Sequence, residues 1–489
     1  MTQLLDAVVV GAGPNGLAAA IALAQAGLQV QVIEAAETVG GGCRSAELTL
    51  PGFMHDVCSA VHPLGRSSPF FSRLPLARHG LRWIEPEAQI AHPLENGAVL
   101  VFRSLDETAG RLGPDAAAYL QLTGPVVRHW QLLMEELTGG FRIPLQPGKL
   151  WAAGGIALRA IQPVTALARR FRTPEARALL AGCGAHSTLR LSERLSGGFG
   201  LILLAGAHAA GWPIAAGGSG RIAEALAAHL TELGGTVVTG HPVRSLEHLP
   251  PHRLALLDIT ARQVLEVAGD RLRHHRGGDR YLRQLARFRY GPGVFKLDLA
   301  LEGPIPWRSP EVLRSATVHL GGTLEEIEES EASVCSGQIP ERPFVLLAQP
   351  SLFDAARAPV GRHTVWAYCH VPNGSPEDMT ERILDQIERF APGFRNRILA
   401  FSSRGPAELE RYDQNFIGGD IGGGRTDLGQ LFTRPAWRLN PYSTPDPGIF
   451  LCSSSTPPGP GVHGLCGWHA ARAVLRKRGS GEAGRRGSR

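Results

Sequence analysis

Six residues near the N-terminus, Gly11-Ala12-Gly13-Pro14-Asn15-Gly16, have the spacing of a loop that holds phosphate. They follow a β-branched run at residues 8–10, and they precede a predicted helix, rich in Ala and Leu, at residues 17–26. Glycine at 11, 13 and 16 permits a tight turn, close approach of a pyrophosphate and close packing of helix on strand. Because the helix N-terminus also supplies unpaired N–H groups, the whole loop is predicted to bind a dinucleotide.

A second predicted strand, residues 29–33, ends at Glu34, about 20 residues after the loop. A carboxylate at this point can accept hydrogen bonds from both ribose hydroxyls, and its charge repels a 2′-phosphate. We therefore place Glu34 and its neighbour Ala35 at the adenosine end of an ADP-ribose that lacks that phosphate.

The next segment, Val39-Gly40-Gly41-Gly42-Cys43-Arg44-Ser45, gives a second stretch of backbone almost without side chains. It resembles the double-glycine motif of FAD-containing amine oxidases and phytoene desaturases, where the segment runs along the flavin pyrophosphate and ribityl chain. The resemblance implies FAD rather than NAD, with Gly41, Gly42, Cys43 and Arg44 in the cofactor site. An arginine beside phosphate fits this placement.

The C-terminal region resembles the closing segment of the same flavoproteins. Residues 448–455 are predicted to form a buried strand, followed by a small-residue loop and a helix at residues 465–475. The resemblance implies that the N–H groups of Gly461 and Val462 meet the flavin N1 and C2 carbonyl, and that Ser453 and Ser454 lie near the ribityl and pyrophosphate groups. Many relatives carry Asp where this chain has Ser.

The resemblance covers nearly the whole chain and places the backbone of Val243 against the adenine. These folds normally insert an antiparallel meander before the next strand, but here residues 246–252 lead almost directly to the predicted strand 254–260. The meander is expected to be shortened or absent.

No side chain stands out as a catalytic base. His463 is the best candidate because the closing loop places it beside the flavin, whereas His55 and His62 are expected to be structural or to line the site. Lys296 and Asp298 share one face of a predicted strand, either near the flavin or as a surface ion pair. An aromatic cage could be built from Trp366, Tyr368 and Tyr442.

Composition excludes several classes of protein. The formal net charge of +6 is concentrated in the last fourteen residues, so nucleic-acid binding is not predicted. The seven cysteines form no CxxC pair, and neither disulfides nor a metal site is predicted. No signal peptide and no membrane-spanning stretch is predicted, which favours a cytoplasmic location. Residues 150–171 are apolar with several arginines, and could equally lie on a membrane surface or be an ordinary basic-faced helix.

The predicted fold class is α/β: a Rossmann-like FAD-binding domain, with a glutathione-reductase-like βαβ unit, interleaved with a mixed sheet and a helical substrate domain. The predicted parts are cofactor domain 1–65, helical substrate domain 66–210, cofactor domain 211–285, substrate sheet 286–440, closing segment 441–475 and a disordered basic tail 476–489.

The predicted function is FAD-dependent oxidation, phytoene-dehydrogenase-like, of an apolar or amphipathic small molecule by hydride transfer to flavin N5. Three alternatives remain open at this point: a flavin amine oxidase, a flavin-dependent isomerase, and a non-catalytic FAD-binding regulatory protein. Substrate identity, electron acceptor and oligomeric state are not predicted.

Overall fold

The computed structural model describes residues 4–139 and 147–486. The strands are β1 Leu5–Val10, β2 Val30–Ile33, β3 Ser45–Glu47, β4 Met54–Asp56, β5 Trp83–Ile84, β6 Ala88–Leu94, β7 Gly97–Phe102, β8 Ile214–Ala215, β9 Thr236–Val238, β10 His252–Leu257, β11 Gly293–Leu301, β12 Thr317–Leu320, β13 Val345–Ala348, β14 His363–Val371, β15 Ile398–Arg404 and β16 Ile449–Leu451. The helices are α1 Pro14–Gln25, α2 Pro63–Arg66, α3 Leu105–Arg111, α4 Ala116–Arg128, α5 Trp130–Gly139, α6 Pro147–Ala160, α7 Val164–Ala168, α8 Pro174–Ala185, α9 Ser196–Ala209, α10 Gly220–Glu232, α11 Ala261–Arg273, α12 Gly278–Ala286, α13 Leu324–Cys335, α14 Thr380–Phe390, α15 Pro406–Tyr412 and α16 Leu465–Arg486.

A five-stranded parallel sheet, in the order β16-β10-β1-β2-β9, assembles strands from both ends and the middle of the chain. Successive residues of β1 face opposite sides: Val9 packs with α1, α10 and α16, whereas Val8 and Val10 pack with α11 and α12. Because helices cover both faces, residues 7–10 of the central strand β1 are apolar and buried. This doubly covered parallel sheet is the Rossmann-like part of the predicted fold.

The second sheet is mixed and has seven strands in the order β15-β11-β14-β13-β12-β6-β7. One core joins β6 and β7 to the helices between residues 105 and 207, and another packs β11 to β14 against α14. The mixed sheet with its helical layer confirms the predicted fold class.

The closing segment is locked onto the cofactor domain by helix packing. Helix α16 lies on α1 so closely that a Cβ at Gly467 would collide with the carbonyl oxygen of Asn15. Glycine is therefore the residue that permits this approach. The packing fixes the loop before α16 beside the N-terminus of α1.

Several elements differ from the sequence-based expectations. The predicted helix 116–138 is two helices that meet at His129, four residues after a proline within α4. Strands β6 and β15 and helices α11, α12 and α13 were not predicted. Helix α16 continues past residue 475 to Arg486, so the predicted helix end is too early. The described residues between β9 and β10 contain one 3₁₀ turn, Leu246–His248, and no strand, as expected for a missing meander.

Within the described residues, no helix is long and apolar enough to cross a membrane. The stretch 150–171 includes parts of α6 and α7, and the side chains of residues 150–153 lie outside the described residues. Leu158 and Ile161 are 70% and 41% exposed, while Ile156 and Val164 are buried. Contact of this stretch with a membrane surface stays a prediction.

Candidate flavin and substrate site

A cavity of about 1550 Å³ opens between the two sheets and the helical layer. Pockets for one small ligand typically measure about 300–1,000 Å³, so this volume suits a cofactor and a substrate together. The predicted site residues that line it are Gly11, Gly13, Pro14, Asn15, Glu34, Ala35, Gly41, Gly42, Cys43, Arg44, Val243, Ser454, Gly461, Val462 and His463. Ala12, Gly16 and Ser453 lie behind this wall.

The glycine loop has the geometry that its sequence predicts. Gly11 has a φ of 99°, and a Cβ at Gly16 would collide with the carbonyl oxygen of Gly11. Gly13 is the N-cap of α1 and, having no side chain, makes no capping hydrogen bond of its own. Because side chains are missing at these three points, a pyrophosphate can reach the backbone of the loop.

Two polar side chains face the same loop. The buried Asn15 Oδ1 has no protein hydrogen-bond partner, which leaves it for a ligand. Asp258, at the end of β10, accepts a hydrogen bond of 2.8 Å from the Gly16 N–H through Oδ2. Burial, with smaller contributions from Asp413 and Glu34, raises the pKa of Asp258 to about 8. The carboxyl group is therefore neutral near pH 7 and compatible with a neighbouring phosphate.

Glu34 and Arg44 lie side by side in the cavity lining. Glu34 Oε2 accepts from the Ala12 N–H at 2.7 Å, and Oε1 accepts from Arg44 Nη2 at 3.1 Å. Arg44 also donates to the Thr38 carbonyl, so both side chains are held before a ligand arrives. The unused lone pairs of the Glu34 carboxylate are available to ribose hydroxyls.

The double-glycine segment lies directly against the phosphate loop. A Cβ on Gly41 would stand 3.3 Å from the Gly13 Cα, and Gly42 would meet the ring of Phe416 at 3.3 Å. These close approaches explain why side chains are missing here. Cys43 is fully buried next to Ser59, and burial raises the pKa of its thiol to about 12, so it is not a reactive thiolate.

The closing loop brings Gly461 and Val462 to the cavity wall, three to four residues before α16 begins. Gly461 has a φ of 131°, a conformation that favours glycine. Ser454 also lines the cavity, whereas the Ser453 hydroxyl is turned inward and accepts from the Ser455 N–H at 3.3 Å.

His463 is positioned by the start of α16. Its Nδ1 accepts a hydrogen bond of 3.0 Å from the Leu465 N–H, and its carbonyl accepts from Ser68 Oγ. Burial lowers the pKa of His463 to about 4, so the ring is neutral and carries its proton on Nε2. In this state Nε2 is a donor, an arrangement that favours helix capping over a role as base.

The other histidine candidates are buried and hydrogen-bonded. His62 lines the cavity and pairs with Ser219 Oγ at 2.8 Å, while His55 pairs with Thr49 Oγ1 at 2.8 Å. Burial lowers the pKa of His62 to about 4 and that of His55 to about 3. Both rings therefore remain neutral at physiological pH.

Lys296 and Asp298 form a buried ion pair, so the surface-pair alternative is wrong. The Lys296 ammonium lies 5.8 Å from the ring centroid of Trp366, and burial lowers its pKa. Neither member of the pair is part of the cavity lining. The ammonium group is thus next to the Trp366 ring but outside the cavity lining.

The proposed aromatic cage is partly assembled. Trp366 and Tyr368 are neighbours on one face of β14, with ring centroids 5.1 Å apart and planes at 86°. Tyr442 lines the same cavity but packs 6.1 Å from His469, and its hydroxyl donates to the Pro457 carbonyl. Trp366 and Tyr368 thus form an edge-to-face wall without Tyr442.

One cluster outside the cavity has spacing suited to a metal ion: His79, His229 and Glu232 place ligand atoms within 4.8 Å of one another. Arg78 donates to the same carboxylate at 3.3 Å, and the buried His229 Nε2 has no partner. A metal on Nδ1 would leave a buried, unpaired N–H at Nε2, so the cluster is better described as an ion pair.

Sequence reasoning missed two histidines in the cavity lining, His186 and His370. His370 alternates with Trp366 and Tyr368 along β14, and this period of two was the available signal. Its partner Glu331 lies on α13, a helix that was not predicted.

Comparison with known proteins agrees with this geometry. The family model for flavin containing amine oxidoreductases matches residues 15–475. The Rattus norvegicus pyridine nucleotide-disulfide oxidoreductase domain-containing protein 2 is 25% identical, over 96% of this chain and 93% of its own. The 4,4'-diapolycopen-4-al dehydrogenase of Metabacillus indicus is 30% identical over 26% of each chain. Cyclohexylamine oxidase from Brevibacterium oxydans shares the fold, with a TM-score of 0.57, 15% identity and coverage of 97% of this chain and 99% of its own.

The fold and the cofactor cradle define an FAD-dependent oxidoreductase. Since the family match spans most of its length, the chain belongs to the flavin containing amine oxidoreductase family. The glycine cradle fits the pyrophosphate of its FAD, and the Glu34 carboxylate and the unpartnered Asn15 oxygen can accept from hydroxyl groups of the same cofactor. Bound there, FAD supplies the two-electron acceptor.

Proposed function

We propose that the protein dehydrogenates an apolar or amphipathic substrate, such as a polyene or another lipid-like molecule, by hydride transfer to flavin N5. The observation that carries this proposal is the helical wall of the cavity. It is built from apolar side chains of α6, α9 and the segment between them, including Ile156, Ile161, Phe199, Ile202 and Leu203. An apolar substrate gains free energy when it leaves water for such a wall.

The state of a carboxyl group in the cavity wall also favours an apolar substrate over a doubly charged amine. Asp420 lines the cavity, but its carboxylate already accepts hydrogen bonds from the backbone N–H groups of Gly291, Gly422 and Gly424 at 2.7–2.8 Å. Burial raises its pKa. This carboxyl group therefore has little capacity left for a substrate ammonium group.

The residues of this chain would act mainly by orientation. Trp366 and Tyr368 form an edge-to-face pair in the cavity wall, and the loop at Gly461 and Val462 lines the same cavity just before α16. An apolar substrate in this cavity would be confined and shielded from water, which lowers the entropic cost of reaching the reactive geometry.

Anaerobic reduction of the bound flavin tests this proposal. We expect a polyene or a long-chain lipid to bleach the visible flavin absorbance of the holoprotein, and cyclohexylamine to leave it unchanged. Bleaching by amines alone would reject the proposal. Turnover without net oxidation, and only after the flavin has been reduced, would assign an isomerase instead.

Amine oxidation is the second candidate, and the Trp366–Tyr368 pair favours it. Aromatic rings in a cavity wall attract a substrate ammonium group by cation–π contact, and the similar cyclohexylamine oxidase is named for an amine substrate. If this candidate is right, replacing Tyr368 with Leu should lower the rate of flavin reduction by amines. A variant that keeps the full rate of reduction would remove the support for it.

A further inference from the structure

Two histidines lie among the aromatic and polar side chains of the cavity wall. His370 on β14 and His186, at the C-terminal end of α8, both line it; we call them the histidine pair. Trp212 lies against His186 with a centroid distance of 5.6 Å, and Tyr368 lies 5.6 Å from His370. A polar pair set among aromatic rings suggests recognition of one polar group on an apolar molecule.

His370 is oriented by a buried carboxylate. Its Nδ1 lies 2.9 and 3.0 Å from the two oxygens of Glu331, and both side chains are at most 2% exposed. Because a carboxylate can only accept, the proton of His370 must be on Nδ1. In the neutral ring, Nε2 is then a lone-pair acceptor available to a ligand in the cavity.

His186 is oriented by a second histidine. Its Nε2 lies 3.0 Å from Nε2 of the buried His319, whose Nδ1 has no partner. A buried N–H without an acceptor is rarer than an unused lone pair, so the proton of His319 belongs on Nε2. His319 then donates to His186, and His186 carries its own proton on Nδ1. Burial lowers the pKa of His186 to about 3, so this ring stays neutral.

Backbone strain marks the same segment. Thr188, two residues after His186, lines the cavity with a φ of 56°. A β-branched residue in this region is a conformational outlier that the surrounding structure must hold in place, and such outliers concentrate at functional sites.

We propose that the histidine pair binds a hydroxyl group on an otherwise apolar substrate, so that the substrate class is an apolar alcohol. The pair offers one acceptor, His370 Nε2, and one donor, His186 Nδ1. A hydroxyl group both donates and accepts, so one that lies between the two nitrogens would satisfy both. An ammonium group has no lone pair for His186, and a hydrocarbon leaves both nitrogens unpaired in a buried wall.

This inference rests on the proposed function and makes its chemistry specific. In oxidation of the alcohol to a carbonyl compound, the hydroxyl proton passes to His370 Nε2, and the carbon-bound hydrogen leaves with two electrons to the FAD. Glu331 stabilises the resulting imidazolium, and the His186 N–H remains bonded to the carbonyl oxygen of the product.

Ligand binding to the oxidised holoprotein tests the inference without requiring turnover. 1-Octanol, octane and octylamine are titrated while perturbation of the flavin absorbance is followed. We expect 1-octanol to bind about tenfold more tightly than octane, as one or two net hydrogen bonds imply. His370→Leu should abolish this preference, whereas His363→Leu, on the same strand but outside the cavity lining, should retain it.

A second variant distinguishes loss of the hydroxyl contact from misfolding. His370→Leu leaves Glu331 buried without its partner, whereas the double variant His370→Leu/Glu331→Met removes both polar groups and is expected to fold. It should also bind 1-octanol and octane equally.

Equal binding of 1-octanol and octane by the wild-type protein, or an unchanged preference in the folded double variant, would overturn the inference. Tightest binding of octylamine would also overturn it. These results would leave the proposed function intact if a polyene still bleaches the flavin. Failure of every apolar substrate to bleach it would instead reject the proposed function.

Discussion

The carboxyl group of Asp258 lies where the charge of the cofactor must be accommodated. It contacts the Gly16 N–H of the phosphate loop, and burial raises its pKa to about 8. The folded protein therefore holds this proton more tightly than the unfolded chain, in which the pKa is about 4. The apoprotein therefore loses stability as pH rises from about 4 to 8.

Ionisation of Asp258 should weaken binding of FAD, because a carboxylate would then face the pyrophosphate. We expect the dissociation constant for FAD to rise about tenfold between pH 7 and pH 9, since one pKa unit corresponds to about 1.4 kcal/mol. Asp258→Asn should remove this dependence, whereas Asp270→Asn, on the exposed side of α11, should retain it. Fluorescence titration with FAD at pH 7 and pH 9 measures the dissociation constant for each variant. An equal pH dependence in the two variants would contradict the assignment.

Single residues were predictable where a local pattern specifies them. Gly11, Gly13, Gly16 and Glu34 belong to one strand-loop-helix-strand unit whose spacing is visible in the sequence. Asp258 is about 240 residues from the loop that it contacts, and nothing local in its sequence indicates that contact.

At the level of elements, the cofactor-binding part of the protein depends on the hydrogen bonds that join two of its loops. Arg434 is fully buried; its Nη2 donates to the carbonyl oxygens of Gly423 and Ser454 at 2.9 Å, and its Nε donates to Ser455 at 3.2 Å. These bonds join the glycine-rich segment to the loop after β16. Arginine is suited to this task because its planar group donates in several directions.

Replacing Arg434 with Met should free the loop after β16. We expect a lower thermal midpoint and FAD binding weakened at least about tenfold, because three carbonyl groups lose a charged donor. The exposed Arg438→Met variant is the matched control and should differ little from wild type. Calorimetry and FAD titration report the two effects. If Arg434→Met retained FAD like its control, the loop would be held by other contacts.

Elements were predictable where periodicity was strong. Strands β11 and β14 follow alternating or apolar runs and were located to within one residue at each end. Strand β6 contains His92 and Pro93 and lacks a clear period, yet pairing with β7 and β12 makes it part of the sheet. Tertiary pairing thus overrides weak local propensity.

The fold class was predictable because the two ends of the chain carry the cofactor motifs. The contacts that join distant segments of the molecule were not predictable. A buried network joins them: Arg357 Nη1 contacts Asp56 at 3.0 Å, and its Nε contacts Asp354 at 3.1 Å. Asp56 also accepts from the Ser219 N–H, and Asp354 accepts from the Gly217 N–H. Three segments distant in the sequence therefore share one guanidinium group.

Removing Arg357 should destabilise the whole molecule, because Asp56 and Asp354 would keep buried charges without their cation. We expect Arg357→Met to lower the free energy of unfolding by about 3–5 kcal/mol. The exposed Arg362–Glu302 pair provides the control: Arg362→Met should leave the free energy of unfolding almost unchanged, because solvent screens that pair. Arg357 holds the pKa of Asp56 below its usual value, so this stabilisation is present at neutral pH and is lost as pH falls below about 4. Urea denaturation at pH 7 measures the difference, and equal midpoints for the two variants would show that the halves are joined without this network.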